Sequence, residues 1–542
     1  MRAKSMIAGA VAGLAALCLS GAADAQLIVS SGATSGVTCT SGVCTAMAAK
    51  ATLNVTQLQN LLASTNVQLK PGSLAQDIVI AASVFWTSAH WLTLDGYRSI
   101  AINQPIQVTG NGFLIMTTND GGTGGAITYD PKANITFMSL SSSLIVNNTT
   151  FTLKNSIASL ASAIAANSVG NYALANSYDA KQDGTYTSSP IPTSVLATVE
   201  GLNNTISNLT IDAPASATKV ALFASVANNG TIRNLNLSKV SVKSAGNGND
   251  SVGGLVAEAD GGFFINDGVD GTVSAPQVWG GVGGLIGSTE GVVDHCRSAA
   301  KVTGVDVGGL VGDSNDGTIT NSTASGKIKA NLYLTHYAAA GGLLGVNQGT
   351  VSLSSASANV QGRGHDATVG GLVGVNNGSE INRSFATGKV KASGGTVNVG
   401  GLVGNNNDGD ITQSYATGPA NGSVEDSGVG GLVGDSFGTI SQSYSTGVVT
   451  ATKEATAGGL IGIDATEGQG GVLVSDYWDT TTSGITNLSQ GAGEPKNDKG
   501  ITGLSDSALK GGLPSGFDKS VWAESSKLNG GRPYLIGNPP SK

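Results

Sequence analysis

A block of about 30 residues, written repeatedly, is the feature that most constrains this chain. Each copy in residues 368–434 contains Gly-Gly-Leu-Val-Gly, a polar Asn/Asp/Gly turn, Ile-x-x-Ser, a step of small residues and a closing strand. A period in this range is typical of solenoids, in which each unit buries its apolar face only against its neighbours. The Gly-Gly-Leu words place eight leucines at intervals of 25 to 33 residues, at Leu255, Leu285, Leu310, Leu343, Leu372, Leu402, Leu432 and Leu460.

The residue types within the block indicate strands. Runs such as residues 411–414 (ITQS) and 389–391 (KVK) alternate in polarity, and Gly, Asn, Asp and Ser separate them. No helical period of 3.6 residues is present within the unit. We therefore predict an all-β fold, a parallel β-helix with about three short strands per rung and about 4.8 Å between rungs, with capping regions at both ends.

The paired glycines before each leucine predict a corner of the coil. Either the backbone bends there, or it adopts a positive φ where a Cβ would clash with the next rung. We expect Leu and the following Val or Ile to point one inward and one outward, so that the inward leucines stack. A phosphate-binding loop is not indicated, since no copy is followed by Lys-Ser or Lys-Thr.

Composition and charge exclude several classes of protein. The 80 glycines and 5% aromatic residues are poorly suited to a conventional core. The net charge of −8 argues against nucleic acid as a partner, since nothing in the sequence resembles a basic face for phosphates.

The amino terminus has the pattern of a secretory signal peptide over residues 1–25. Arg2 and Lys4 precede an apolar run, and Ala-Asp-Ala stands before Gln26. Cys18 follows Leu17, where a lipidation site needs a small residue. No later apolar run approaches the roughly 20 residues of a membrane helix. We expect secretion or display on the cell surface of a Gram-negative bacterium, with the periplasm as the alternative.

The remaining cysteines have separate interpretations. Cys39 and Cys44 suit a small disulfide loop in an oxidising compartment, whereas a metal site would need further ligands nearby. Cys296 aligns with the serine of the Ile-x-x-Ser word and predicts a buried structural thiol.

Five regions follow from these patterns. After the signal peptide, residues 26–178 predict a β-rich capping domain with two short helices, near Thr56 and Ser156. Residues 179–216 form a transition, 217–475 the solenoid, and 476–542 an aromatic cap. That cap is interpreted as a plug over the last coil, with a carbohydrate-stacking platform as the alternative. Its aromatic residues are Tyr477, Trp478, Phe517, Trp522 and Tyr534.

The repeat VGGLVGxNxGxIxxSxATGxV resembles the GLUG repeat of bacterial surface and secreted proteins. The segment of residues 91–102 (WLTLDGYRSIAI) and the endings YWD at 477–479 and GGRPYL at 530–535 resemble filamentous-haemagglutinin-like adhesins. This resemblance implies a β-helical exoprotein associated with adhesion. The chain has no Asn-Pro-Asn-Leu secretion motif, and it lacks the His-Glu-x-x-His motif that peptidases carrying this repeat would need.

Candidates for catalysis are few, so we predict no enzyme, no catalytic residue, no cofactor and no metal site. A polysaccharide lyase or hydrolase on a β-helix needs carboxylates and bases on one face. The acidic pairs occur in Asn/Gly-rich segments interpreted as turns, and the histidines share no metal-ligand spacing. These residues are Asp267 with Asp270, Asp313 with Asp316, Asp408 with Asp410, and His90, His295, His336 and His365.

The sequence therefore predicts an exported, non-enzymatic repeat protein that acts as an adhesin or matrix component through many weak contacts. Its partner would be an unknown receptor, a host-surface glycan or a matrix polymer. Clustered acids and a groove would instead favour a carbohydrate-active β-helix. Smooth faces without a groove would favour a purely structural envelope protein.

Overall fold

A computed structural model describes residues 25–331, 337–364, 366–423, 427–452, 455–466 and 471–541. The chain is 50% strand and 7% helix and forms a parallel β-solenoid of about 13 turns, which confirms the predicted fold class. Cys18 and all of the predicted signal peptide except Ala25 lie outside the described residues, as do His336 and His365.

The chain divides into two units. Unit 1 comprises residues 1–155, 171–177 and 202–204, and unit 2 comprises residues 156–170, 178–201 and 205–542.

Unit 1 is itself built from parallel strands stacked in register. The isoleucine pair Ile78 and Ile80 lies beside Ile100 and Ile102 of the next rung, and all four side chains are buried. One sheet contains Lys50–Asn54, Gln26–Ser30, Asp77–Ile80, Ile100–Ile102 and Ile127–Tyr129. A second contains Val84–Trp86, Ile106–Val108 and Ile135–Phe137. The remaining strands are Val37–Thr40, Val43–Ala46, Val67–Lys70, Trp91–Asp95, Phe113–Thr117, Ser143–Val146, Thr149–Lys154 and Tyr172–Leu174.

The start of unit 1 is closed by a helix and a hairpin. Helix α1 (Val55–Leu62) buries Leu58 and Leu62, and its cap is Asn54, two residues before the Thr56 of the prediction. The Asn54 side chain accepts from the first-turn backbone N–H groups, which a helix cannot satisfy internally. The antiparallel hairpin that follows Gly36 carries a disulfide between Cys39 and Cys44. A further short helix, α2, spans Gly72–Ala75.

Each rung of unit 2 passes through three sheets, and we number them in the order in which the chain visits them. The second and third sheets usually contain two short strands per rung, so a rung has up to five strands rather than three. The first sheet contains Lys219–Val220, Ser251–Val252, Gly281–Gly283, Asp306–Gly308, Tyr337–Gly341, Asp366–Gly370, Val397–Gly400, Gly428–Gly430 and Thr456–Gly458.

The second sheet follows the Gly-Gly-Leu corner, and the third sheet follows the Ile-x-x-Ser corner. The second contains Thr198–Glu200, Phe223–Ala227, Thr231–Arg233, Val256–Asp260, Phe263–Ile265, Ile286–Thr289, Val292–Asp294, Val311–Thr320, Leu344–Ser352, Val373–Asn377, Glu380–Asn382, Val403–Asn407, Asp410–Thr412, Val433–Ser436, Thr439–Ser441, Ile461–Asp464, Leu473–Val474 and Ala492–Glu494. The third contains Tyr178–Asp179, Thr185–Tyr186, Thr205–Ser207, Thr210–Ala213, Asn236–Ser244, Gly268–Ser274, Arg297–Ser298, Lys301–Gly304, Thr323–Ala324, Lys327–Asn331, Ser355–Ala356, Asn359–Gly364, Phe385–Ala386, Val390–Gly394, Tyr415–Ala416, Ala420–Asn421, Tyr444–Ser445, Val449–Thr450, Asp476–Asp479 and Ile501–Leu504.

The remaining elements of unit 2 are short. Helix α3 (Ile157–Ala166) begins at the predicted Ser156, which forms a capping box with Ser159. Helix α4 spans Asp506–Leu509, and 3-10 turns span Ala180–Asp183 and Asn529–Gly531. The strands Trp522–Ala523 and Tyr534–Leu535 form an antiparallel pair.

The Gly-Gly corner is explained by close approach rather than by a positive φ. A Cβ on Gly371 would overlap the carbonyl oxygen of Gly401 in the next rung and lie 2.9 Å from the Ala386 Cβ across the interior. Neither Gly370 nor Gly371 has a positive φ. The rung is therefore so thin at this corner that only glycine fits.

The eight predicted leucines form one buried column. Each is fully buried, and the backbone N–H of each of the first seven donates to the leucine carbonyl of the next rung, as from Leu402 to Leu432 at 2.8 Å. The Leu460 N–H donates to the Gly491 carbonyl at 2.9 Å. The expectation that the following Val or Ile points outward is wrong, because Val403 and its equivalents are also fully buried. The chain turns at the corner, so consecutive side chains both face the interior.

A second buried column stabilises the Ile-x-x-Ser corner, between the second and third sheets. The backbone N–H of Ser354 donates to the Ser384 hydroxyl at 3.2 Å, and that hydroxyl donates to the Asn382 carbonyl at 2.9 Å. Cys296 takes the same position as these serines and is buried. The column ends at Asp476, whose carboxylate accepts from the Ser443 N–H at 2.9 Å. The full set is Asp267, Cys296, Ser322, Ser354, Ser384, Ser414, Ser443 and Asp476.

The aromatic residues predicted to cap the last coil have two different roles. Trp478 takes the inward position that Ala416 and Ser445 take in the preceding rungs, so its fully buried ring fills the end of the interior. The C-terminal segment, residues 505–541, instead packs along the side of the solenoid. There it covers an outward aromatic column formed by Phe385, Tyr415, Tyr444 and Tyr477.

Candidate functional site: a groove between two sheets

The outward faces of the first and second sheets line a groove of about 540 Å³. The part of each rung that contributes to it is the stretch on either side of the Gly-Gly-Leu corner. We call this feature the groove. It is lined by Asp306, Tyr337, Ala338, Ala339, Val346, Asp366, Ala367, Thr368, Val375, Asn377, Thr396, Asn398, Asn405 and Asn407.

The parallel register aligns the groove residues in two rows. In the first sheet, Ala339 lies beside Thr368, which lies beside Asn398. In the second sheet, one row runs through Asp313, Val346, Val375, Asn405 and Asp435. The middle of this row is apolar and amide-bearing, and its two ends are acidic.

Burial changes the acidity of three carboxyl groups in the groove or at the ends of its second-sheet row. It raises the pKa of Asp306 to about 6, although the Ala339 N–H that donates to this carboxylate at 3.0 Å acts in the opposite direction. Burial raises the pKa of Asp313 well above its ordinary value, and the charge of Asp306 raises it further. Burial also raises the pKa of Asp435 to about 6. Burial of all three carboxyl groups therefore favours their neutral form, in which a carboxyl group can donate a hydrogen bond.

Three oxygens in this row have no hydrogen-bond partner among the described residues. They are the Oδ1 atoms of Asp313, Asn405 and Asp435, and all three are buried. Buried polar atoms are normally satisfied, so an ordered water molecule is the partner expected at each of these oxygens. Tyr337 lies at the groove with 82% of its surface exposed, which offers a ring face to a ligand.

The acidic pairs considered from the sequence are not brought together as pairs. Asp313 lies in the strand Val311–Thr320 rather than in a turn, whereas Asp316 is exposed. Asp267 is fully buried at one end of the serine column, and burial raises its pKa well above the ordinary value. Asp408 and Asp410 are exposed where the strand Val403–Asn407 gives way to the strand Asp410–Thr412 in the second sheet.

The sequence analysis did not identify Asp306, the carboxyl group that influences Asp313. It lies on the first sheet, in the strand before the corner, and its charge acts on Asp313. The spacing of seven residues across a Gly-Gly-Leu word was the signal that could have identified it.

The two described histidines have protein partners. The His90 Nδ1 lies 3.3 Å from the Asn66 Oδ1, and the His295 Nδ1 lies 2.8 Å from the Asp294 Oδ1. No cluster of three metal-ligating side chains occurs within the part of the chain that the structure describes. In the same part of the chain, none of the helices has the length and apolar character needed to cross a membrane.

The C-terminal aromatic residues do not form an exposed platform. Trp478 and Trp522 are 0% and 1% exposed, and Tyr477 and Phe517 are also buried. The Tyr477 hydroxyl donates to the Ser515 carbonyl at 2.7 Å, which fixes the ring beneath the C-terminal segment. A stacking surface for sugars is therefore not available at these residues.

Comparison with known proteins agrees with the repeat. The family model described as the GLUG motif matches residues 304–329 and 395–421. Over 160 residues, 30% of this chain, the sequence is 29% identical to halomucin of Haloquadratum walsbyi (strain DSM 16790 / HBSQ001). The chain spans 2% of the length of that protein. It therefore carries GLUG repeats and resembles a short part of a much longer protein.

Proposed function

We propose that this GLUG repeat protein is an exported, non-enzymatic adhesin or matrix component that holds a polymeric partner through many weak contacts. The observation that carries the proposal is the register. Equivalent outward side chains recur in successive rungs at about 4.8 Å, so one linear partner can meet several of them at once. Contacts that are individually weak add through effective concentration when they are linked in this way.

The comparisons support a surface or structural role for such a protein. The haemagglutinin-like character, export by the predicted signal peptide and the adhesive activity are parts of our proposal. The partner that we propose is a receptor, a host-surface glycan or a matrix polymer. The groove suits a glycan best, because its amide and carboxyl groups match sugar hydroxyls.

Protease shaving of intact producing cells tests this proposal. An antibody against the solenoid would follow the chain in whole cells, periplasm and medium, with a periplasmic marker as the control. We expect intact cells to lose the chain, or the medium to contain it without the marker. Survival of the chain until the outer membrane is opened would contradict the proposal.

A second candidate is a carbohydrate-active groove, and the proximity of Asp306 and Asp313 favours it. Burial raises the pKa of Asp313 well above its ordinary value and the pKa of Asp306 to about 6, and two carboxyl groups with separated pKa values can serve as acid and base on a glycosidic bond. New reducing ends or unsaturated products from a polysaccharide, lost in Asp313→Asn, would favour this candidate over ours. A purely structural envelope protein is less well supported, because a groove is present.

A further inference from the structure

The outward face of the third sheet carries a cluster of cations that the sequence does not show. Four consecutive rungs contribute to it, through the strands Lys301–Gly304, Lys327–Asn331, Asn359–Gly364 and Val390–Gly394 with the residue before it. We call this feature the basic face. Its cations are Lys301, Lys327, Lys329, Arg363, Lys389 and Lys391.

This face corrects the expectation, drawn from the net charge of −8, that the protein has no basic surface. On the third sheet, the outward positions of these four rungs hold no acidic side chain, and the positions between the cations carry Thr, Asn, Gln and Ser. None of the six cations forms an ion pair with a described residue. Their charges are therefore not neutralised within the part of the chain that the structure describes.

The register fixes the spacing of these charges. Lys327 lies beside Asn359, which lies beside Lys389, so the two lysines are two rungs or about 10 Å apart. In the neighbouring row, Lys329 and Lys391 have the same spacing and Gln361 between them. One amide therefore separates the two lysines in each row, and Lys301 extends the first row directly beside Lys327.

We propose that the basic face binds an acidic polysaccharide, whose carboxylate or sulfate groups lie over the lysines. The intervening amides can hydrogen bond to sugar hydroxyls, which carry no charge. The four strands that carry the cations contain no aromatic residue, and Phe385 of the same sheet is buried under the C-terminal segment. Proteins that bind single-stranded nucleic acid instead stack bases on exposed aromatic rings. The acidic remainder of the protein repels a polyanion, so the basic face is where the charges are complementary.

This proposal rests on the proposed function only for the location of the partner outside the cell. It uses a different surface from the groove, and its test uses the purified chain. Loss of binding in that test would remove the basic face as a site but leave the result of protease shaving unaffected. Failure of the shaving test would leave the binding result standing.

The binding experiment uses three polymers of similar length at low ionic strength: polygalacturonate, dextran sulfate and uncharged dextran. The variant K327Q/K329Q/K389Q/K391Q removes four charges from the basic face. The matched control K50Q/K132Q/K181Q/K519Q removes four charges from exposed positions elsewhere. Both variants have the same net charge, so a difference between them reports position and not total charge.

We expect the wild type and the control to bind at least one acidic polymer and the face variant to bind about ten-fold more weakly. Added salt should weaken the binding of wild type, since the contacts are ionic and exposed. Equal loss in both variants, binding to uncharged dextran, or tighter binding to single-stranded DNA than to either acidic polymer would overturn the proposal. Salt-dependent self-association abolished by the face variant, without polymer binding, would assign the face to a second copy of this chain instead.

Discussion

Replacement of Ser384 by alanine tests whether the serine column stabilises the solenoid. The Ser384 hydroxyl accepts the backbone N–H of Ser354 in the preceding rung at 3.2 Å and donates to the Asn382 carbonyl at 2.9 Å. Both serines are fully buried, so water cannot replace the missing hydroxyl. An unsatisfied buried donor costs about 1–3 kcal/mol. We expect Ser384→Ala to lower the free energy of unfolding by this amount.

Two companion variants make the reasoning sharp. Thr387→Ala removes a hydroxyl from an exposed position of the same rung and should change stability by less than about 0.5 kcal/mol. Ser384→Cys should fall between the two, because Cys296 already takes this position and accepts the Asp267 N–H at 3.5 Å.

The assay combines denaturant unfolding with hydrogen exchange of the Ser354 amide. Repeat arrays do not always unfold in one step, so the amide gives the local reading that a single unfolding curve lacks. Faster exchange of this amide in Ser384→Ala, with little change in Thr387→Ala, is the expected result. Equal stability of the alanine variants together with an unchanged Ser354 amide would refute the reasoning.

Three further predictions follow from the corner, the C-terminal segment and the groove. Gly371→Ala should prevent folding of its rung, because the added Cβ overlaps the carbonyl oxygen of Gly401. Gly378→Ala should lower the free energy of unfolding by only about 1–2 kcal/mol, because Gly378 has a positive φ but open space around it. Soluble yield and circular dichroism measure the folding of both variants. Trp522→Ala should cost about 3–5 kcal/mol and should make residues 505–541 the first site of proteolysis, while the solenoid stays intact. Burial raises the pKa of Asp306 to about 6. The contribution of this group to stability is therefore present below about pH 4 and is lost as the pH rises through 6. Urea titrations over this pH range should show that Asp306→Asn loses less stability than the wild type.

The periodic part of the fold could be predicted because the same physical requirement recurs in every rung. The corner at Gly371 needs glycine, and the positions of Leu372 and Ser384 need a leucine and a small hydrogen-bonding side chain. Each requirement therefore selects the same residue type again about 30 residues later. The recurring residue types therefore identify the positions that face the interior of the solenoid.

Unit 1 was harder to predict because its rungs do not share a repeated sequence motif. Pairs such as Ile78 with Ile80 and Ile100 with Ile102 have the alternation of strands, but their spacing in the sequence does not show that they stack in parallel. Their interior is filled by large and varied aliphatic side chains, so no single letter marks the register. A core that is filled by shape rather than by a fixed hydrogen bond leaves a weaker trace in the sequence.

The surfaces were harder still, because the residues that form them are far apart in the chain. Lys327 and Lys389 are 62 residues apart in sequence but two rungs apart in space. The charge of Asp306 acts on Asp313 across a Gly-Gly-Leu corner, where the chain turns from the first sheet into the second. Net charge and local motifs average over such distances, so they indicated neither the groove nor the basic face.

Inward and outward positions of the solenoid are constrained differently, and this difference determines how such a protein acquires a binding surface. The inward residues, such as Leu402 and Ser384, are tied to their neighbours by contacts that a change would break. The outward residues, such as Lys391 and Asn405, can change without altering the backbone register. A change at one outward position is placed automatically at about 4.8 Å from its equivalents in the adjacent rungs. Repeated outward changes therefore build a row of like side chains, and a row of this kind fits a linear polymer better than it fits a compact ligand.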